Sequence, residues 1–106
     1  MTMKQLSITN QMTKKIIKQL SKVIDPELDI DIVNLGLIYG IKQSKEDQWT
    51  INFTLTYPGC PLAPYFHEQI NSQVSSIEGI QEVVTKLVFK PSWTRQMISP
   101  GFKNSW

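Results

Sequence analysis

Three features predict an α/β (α+β) domain of two layers. Trp49, Ile51, Phe53, Leu55 and Tyr57 alternate with Thr50, Asn52, Thr54 and Thr56, the period of a strand with one buried face. Leu62, Phe66, Ile70, Val74 and Ile77 then fall at helical spacing, and Val83, Thr85, Leu87 and Phe89 return to strand spacing. With an earlier helix and an earlier strand the order is α-β-β-α-β. That order implies a small mixed sheet covered by helices on one face, with a right-handed crossover at the strand–helix–strand unit and a short helical C-terminal tail.

The first helix is marked by Met12, Ile16, Ile17, Leu20, Val23 and Ile24, with Thr9 or Asn10 as N-cap and Pro26 as the stop. Residues 1–8 before it are expected to be a flexible end, leaving 9–106 as one domain. Lys14, Lys15, Lys18 and Lys22 form the opposite face. No aromatic residues interleave with them, so they are expected to be solvated rather than to bind RNA.

Acids then stand at Asp25, Glu27, Asp29 and Asp31. An EF-hand loop would need glycine at its sixth position and glutamate at its twelfth, where this chain has Ile30 and Gly36. The spacing instead predicts an extended segment with acids on one side and Leu28, Ile30 and Ile32 on the other. Leu35, Leu37, Tyr39 and Ile41 predict a strand over 35–42, joined to the alternating strand by a polar hairpin connection at 44–48. Gly79 is placed to follow the second helix as its C′ residue.

At 106 residues the chain holds one domain, enough to bury about 65% of its unfolded surface without disulfides or a structural metal. A hydrophobic fraction of 41% and a charged fraction of 19% are those of a soluble globular protein. The net charge of +2 gives no drive toward nucleic acid or an anionic membrane. There is no secretory signal pattern and no apolar run long enough to span a bilayer, so a cytoplasmic location is expected.

One cysteine, Cys60, excludes an internal disulfide and a classical zinc finger. It follows the alternating strand and precedes the second helix, whose first turn would start at Pro61 or Pro64. Ligands of open α/β sheets bind beyond the carboxyl ends of strands, where this loop lies. Gly59 gives the loop access to positive φ. If the last two strands are parallel, Trp93 and Thr94 emerge at the same edge and can wall the cysteine. The structural alternatives are a small buried hydrophobe for Cys60 and plain core cover for Trp93. His67, the only histidine, lies seven residues from Cys60, about 10 Å along a helix, too far for a shared metal or a Cys–His pair; it is expected on the surface. A redox enzyme would need a resolving thiol, which the chain lacks.

Asp25-Pro26-Glu27-Leu28, Asn34-Leu35-Gly36-Leu37-Ile38-Tyr39, Thr54-Leu55-Thr56 with Pro58-Gly59-Cys60-Pro61-Leu62, and Trp93-Thr94 together resemble the SufT/PaaD-like family of metal–sulfur cluster assembly domains. The resemblance spans about residues 16–99. It implies a non-catalytic accessory factor in iron–sulfur cluster assembly or transfer. Cys60 would be the cluster ligand or sulfur acceptor, and Asp25, Glu27, Thr56, Gly59, Trp93 and Thr94 would shape the site. Clusters usually take four thiolates, so one cysteine implies a labile iron–sulfur cluster held between subunits or with a partner. The implied partners are the iron–sulfur assembly machinery, client apo-proteins and a second copy in a homodimer, with no nucleic acid and no membrane. The alternatives are an accessory subunit of a PaaD-like ring-hydroxylating oxygenase system and a protein–protein adaptor with a structural cysteine. The chain departs from the family pattern at Pro64, Arg95 and Gln96, where relatives commonly carry aspartate, proline and aspartate.

Overall fold

The computed structural model describes the backbone over residues 3–101 and side chains over 11–101. The elements in chain order are α1 (Met3–Leu20), β1 (Ile24–Asp25), β2 (Ile30–Asp31), β3 (Ile38–Lys45), β4 (Gln48–Phe53), α2 (Ala63–Ser75), β5 (Glu82–Leu87) and a 3-10 turn (Arg95–Met97). The domain is a small α+β unit with a three-stranded mixed sheet, as expected. A two-stranded β1-β2 ribbon was not expected.

β4 is the central strand. It pairs antiparallel with β3 and parallel with β5, from Gln48 opposite Glu82 to Phe53 opposite Leu87. Its pattern is the one the sequence predicts: Trp49, Ile51 and Phe53 are buried, while Gln48, Thr50 and Asn52 are half-exposed. The hairpin from β3 is tighter than expected, since strand pairing reaches Lys45 and Gln48 and leaves Glu46 and Asp47 as the turn. The Asp47 carbonyl then accepts the backbone N–H groups of Gln81 and Glu82, which pins the start of β5.

α2 lies on the β4–β5 half of the sheet with Phe66, Ile70 and Val74 buried at successive turns. Ile16 and Leu20 of α1 complete the same core. Two residues expected on this stripe leave it: Ile17 and Ile24 are 38% and 40% exposed. α1 also begins at Met3, so Thr9 and Asn10 lie inside it rather than capping it. Its end comes before Pro26. The Ser21 hydroxyl donates to the Lys18 carbonyl, and Lys22 and Val23 donate to carbonyls three residues back, tightening the last turn into a stop. Gly79 has the predicted positive φ, +96°, but the helix closes earlier at Ser76, so the glycine ends the following turn.

The acidic segment does not place its carboxylates on one side. Asp25 and Asp31 are buried and Glu27 and Asp29 are exposed. The reason is local hydrogen bonding. Asp25 Oδ1 accepts the N–H groups of Glu27 and Leu28 at 2.8 and 3.2 Å. Asp31 Oδ2 accepts those of Val33 and Asn34 at 3.1 and 3.0 Å, and its Oδ1 accepts the Asn34 amide at 2.7 Å. These two side-chain turns replace the extended strand, and Asp29 between them takes φ +56°.

β3 starts three residues later than expected because residues 32–36 turn. The C-terminal segment is laid over this turn. Trp93 Nε1 donates to the Leu35 carbonyl at 2.8 Å, Ser99 N–H donates to the Asn34 carbonyl at 2.8 Å, and Ile98 is buried. Gly36, at φ +83°, faces the Met97 carbonyl oxygen so closely that an added Cβ would collide with it.

Substituting Gly36→Ala therefore costs about 1–3 kcal/mol for the backbone conformation alone, and the collision adds to it. Gly59→Ala has similar backbone strain, at φ +84°, but open space around the new methyl. Urea unfolding should rank Gly36→Ala as the less stable variant; equal midpoints would mean that the tail does not seat on Gly36.

Candidate functional site

β4 ends at Phe53, and the chain continues through Thr54, whose N–H donates to the Leu37 carbonyl at 2.8 Å. Thr54 and Leu55 remain buried, but Tyr57 is 47% exposed, so the expected alternation does not extend to it. The chain has already turned. Cys60 N–H reaches the Tyr57 carbonyl at 3.4 Å, with Pro58 second and Gly59 third at φ +84°. Pro followed by a positive-φ glycine is the signature of a type II turn. Such a turn brings its first and fourth residues together, here Tyr57 and Cys60.

Cys60 is 8% exposed and packs at the edge of the core. It is thus more enclosed than a freely accessible rim thiol would be. Hydrogen bonding to Cys60 and then the charge on its sulfur are the largest causes that hold the Tyr57 phenol above its usual value. Glu27 and Asp25 add smaller effects in the same direction, which places the two acids in the electrostatic field of the turn. Asp25, Glu27, Tyr57 and Cys60 therefore form one neighbourhood, drawn from the first and third sequence motifs.

The remaining predicted site residues are distributed differently. Gly59 shapes the turn itself. Thr56 is half-buried just ahead of it, while Thr54 is fully buried with its hydroxyl lacking a partner among the described residues. Trp93 is half-buried and its indole N–H donates to the Leu35 carbonyl, which ties it to the second motif. Thr94 is exposed, extended and makes no side-chain cap bond to the 3-10 turn that follows it. His67 is not simply a surface residue. Its Nδ1 lies 2.6 Å from Thr85 Oγ1, and its ring meets Phe53 edge-on at 4.8 Å, which joins α2 to the sheet.

Tyr57 is the residue that the sequence reading missed, having assigned it to the strand face. Its signal was present: Tyr-Pro-Gly-Cys reads as a type II turn, and both its ends then belong to the site. α2 begins at Ala63 with Pro64 in its first turn, so Cys60 precedes the helix by a short turn. Among the described residues no group of three or more His, Cys, Asp or Glu side chains is arranged to hold a metal ion. The neighbourhood can supply one sulfur ligand, a hydroxyl donor to it and flanking negative charge.

The Tyr57–Cys60 interaction makes a pH prediction. Because the thiolate disfavours a phenolate beside it, the phenol keeps its proton to higher pH than normal. Cys60→Ala removes both causes named first, so the Tyr57 titration followed by NMR of labelled tyrosine should move down toward the ordinary value of 10.0. An unchanged titration would show that the two side chains do not meet.

A family model described as an iron–sulfur cluster assembly protein matches residues 13–85. The chain is 44% identical over 77 residues to the Fe-S protein maturation auxiliary factor SufT of Staphylococcus aureus, covering 73% of this chain and 88% of that protein. It is 36% identical to the Fe-S protein maturation auxiliary factor YitW of Bacillus subtilis, covering 81% and 84% of the two chains. A crystal structure of a domain of unknown function from Bacillus anthracis superposes with a TM-score of 0.85 at 31% identity, over 91% of this chain and 92% of that one. The chain belongs to the iron–sulfur cluster assembly protein family, as its four motifs together implied.

Proposed function

We propose that this protein is a non-catalytic auxiliary factor in the maturation of iron–sulfur proteins, and that Cys60 presents its sulfur to a cluster or to sulfur in transit. The observation that carries this reading is the position of the chain's one cysteine. It closes a turn beyond the carboxyl end of the central strand, opposite Tyr57, whose phenol feels Cys60 most and Glu27 and Asp25 more weakly. The names of the S. aureus and B. subtilis relatives, both Fe-S protein maturation auxiliary factors, support the same reading.

One thiolate fills a single corner of a cluster that usually takes four. The other ligands come from a second copy of this chain, a client apo-protein or a small thiol, and a cluster held in this way is labile and suited to transfer. Tyr57 donates to the sulfur while it is unliganded, and its exposed ring can move aside as a partner docks. Asp25 and Glu27 keep the surroundings negative, which favours positively charged iron over a second anion. The assembly machinery and client apo-proteins are the partners in this account.

A second reading is favoured by the 8% exposure of Cys60. In that reading the thiol is part of the core, and the domain is an adaptor between other proteins. Cells carrying Cys60→Ser in place of the wild-type chain separate the two. The carrier reading expects activity of iron–sulfur enzymes to fall as far as in cells lacking the protein; full activity would establish the adaptor. Anaerobic reconstitution in the presence of a client should likewise give visible absorbance that is lost in the same variant.

A further inference from the structure

The two edges of the three-stranded sheet are not alike. β3 forms one, and it carries features that keep an edge from pairing: register shifts at Ile38–Gly40 and Gln43–Lys45, and exposed Lys42 and Lys45. β5 forms the other. It has no proline, and its register against β4 is unbroken from Glu82 to Leu87.

The groups that this edge offers follow from the bonds it already makes. Glu82 and Val88 donate their N–H groups to the Asp47 and Phe53 carbonyls, so the even-numbered residues turn their backbone toward β4. Val83 and Thr85 turn theirs outward. The Val83 carbonyl is reached by the Asn71 side-chain amide at 3.3 Å and keeps a second lone pair. Thr85 borders an open depression of about 560 Å³ along α2, which leaves the strand uncovered there.

Register with β4 also sorts the side chains. Val83 and Thr85 share the helix face with Trp49 and Ile51, while Glu82, Val84 and Lys86 share the open face with Gln48, Thr50 and Asn52. Along the open face the order is acid, apolar, base, with Glu82 and Lys86 exposed and Val84 half-buried. Such an order is complementary to its own reverse. An antiparallel copy centred on Val84 sets each Glu82 directly opposite the other copy's Lys86.

We propose that the β5 edge binds a second copy of this chain, antiparallel, about a two-fold axis at Val84. Val83 of each copy exchanges N–H···O bonds with Thr85 of the other. Val84 meets its twin at the closer, non-hydrogen-bonded spacing, flanked on both sides by a Glu82–Lys86 pair. The product is one continuous sheet in the order β3-β4-β5-β5-β4-β3, with both α2 helices on the same face. Any extended strand would satisfy the backbone groups; the reversible charge order is what selects a copy of the same strand. Because β4 runs parallel to β5, the two Cys60 turns lie toward opposite ends of the joined sheet, and the contact does not depend on the role proposed for that residue.

Sedimentation equilibrium at concentrations up to about 1 mM, the range for a contact of this limited area, tests the pairing. The wild-type chain should dimerise. Glu82→Lys and Lys86→Glu, both at exposed positions, each turn the attractive pairs into repulsive ones and should weaken self-association roughly tenfold. Mixed in equal amounts, the two variants should dimerise with each other as tightly as the wild type, and the doubly reversed chain should do so with itself. Amide hydrogen exchange reads the register: the Val83 and Thr85 N–H groups should gain protection as concentration rises. A wild type that stays monomeric, single variants that associate as tightly as the wild type, or protection centred on other residues would each overturn the proposal. An edge protected only when a client apo-protein is added would belong to that client, and would overturn it as well.

Discussion

The pairing of β4 on both edges is the constraint on which the rest of the molecule depends. A strand hydrogen-bonded on each side has no freedom of register, so its inward residues, Trp49, Ile51 and Phe53, have to meet the helices. The same pairing decides what happens at its two ends. At the start, the Asp47 carbonyl holds β5 in parallel register. At the finish, the Val88 N–H on the Phe53 carbonyl and the Thr54 N–H on the Leu37 carbonyl are the last backbone bonds to the neighbouring strands, and the chain then leaves the sheet toward the turn with Cys60. The sheet therefore decides where the cysteine loop lies, and its own Pro58-Gly59 decides the shape of the turn.

The motifs that carry the family resemblance divide into two physical jobs. The second and fourth are joined to each other. The turn at 32–36 offers its carbonyls to the tail, and Trp93, Ser99 and Gly36 seat that tail on it. The first and third meet at the candidate site. Asp25 first satisfies the backbone N–H groups of its own turn, so its position is rigid, and its charge is then felt at Tyr57. A buried carboxylate that accepts two backbone donors is stable without a cation partner, which leaves no need for a salt bridge there.

Much of this was legible in the sequence, and the failures have specific causes. The alternation of β4, the stripe of α2 and the turn glycines at 59 and 79 could be read directly, because periodicity and positive φ are local properties. The first helix was misread at both ends. No strong cap signal marks Met3, and Pro26 is a louder stop than the Ser21 hydroxyl that in fact accompanies the end of the helix. The acidic segment was misread because period-two spacing takes no account of Asp side chains bonding their own backbone. Tyr57 was lost for a related reason: a strand pattern was carried two residues too far, across a turn that its own Pro-Gly announced. The bond from the Trp93 indole to the Leu35 carbonyl was not legible either, because it joins two distant stretches of chain through no local pattern.

The account rests on a thiol that is enclosed but can be reached from the native fold. The most direct measurement is the rate at which iodoacetamide alkylates Cys60 across a series of urea concentrations below the unfolding transition. If Tyr57 covers the sulfur and moves aside locally, the rate will be measurable in the native protein and will not change with urea until the transition begins. If the rate is instead negligible without denaturant and rises in step with the unfolded fraction, the sulfur is sealed in the core and has no part in handling a cluster.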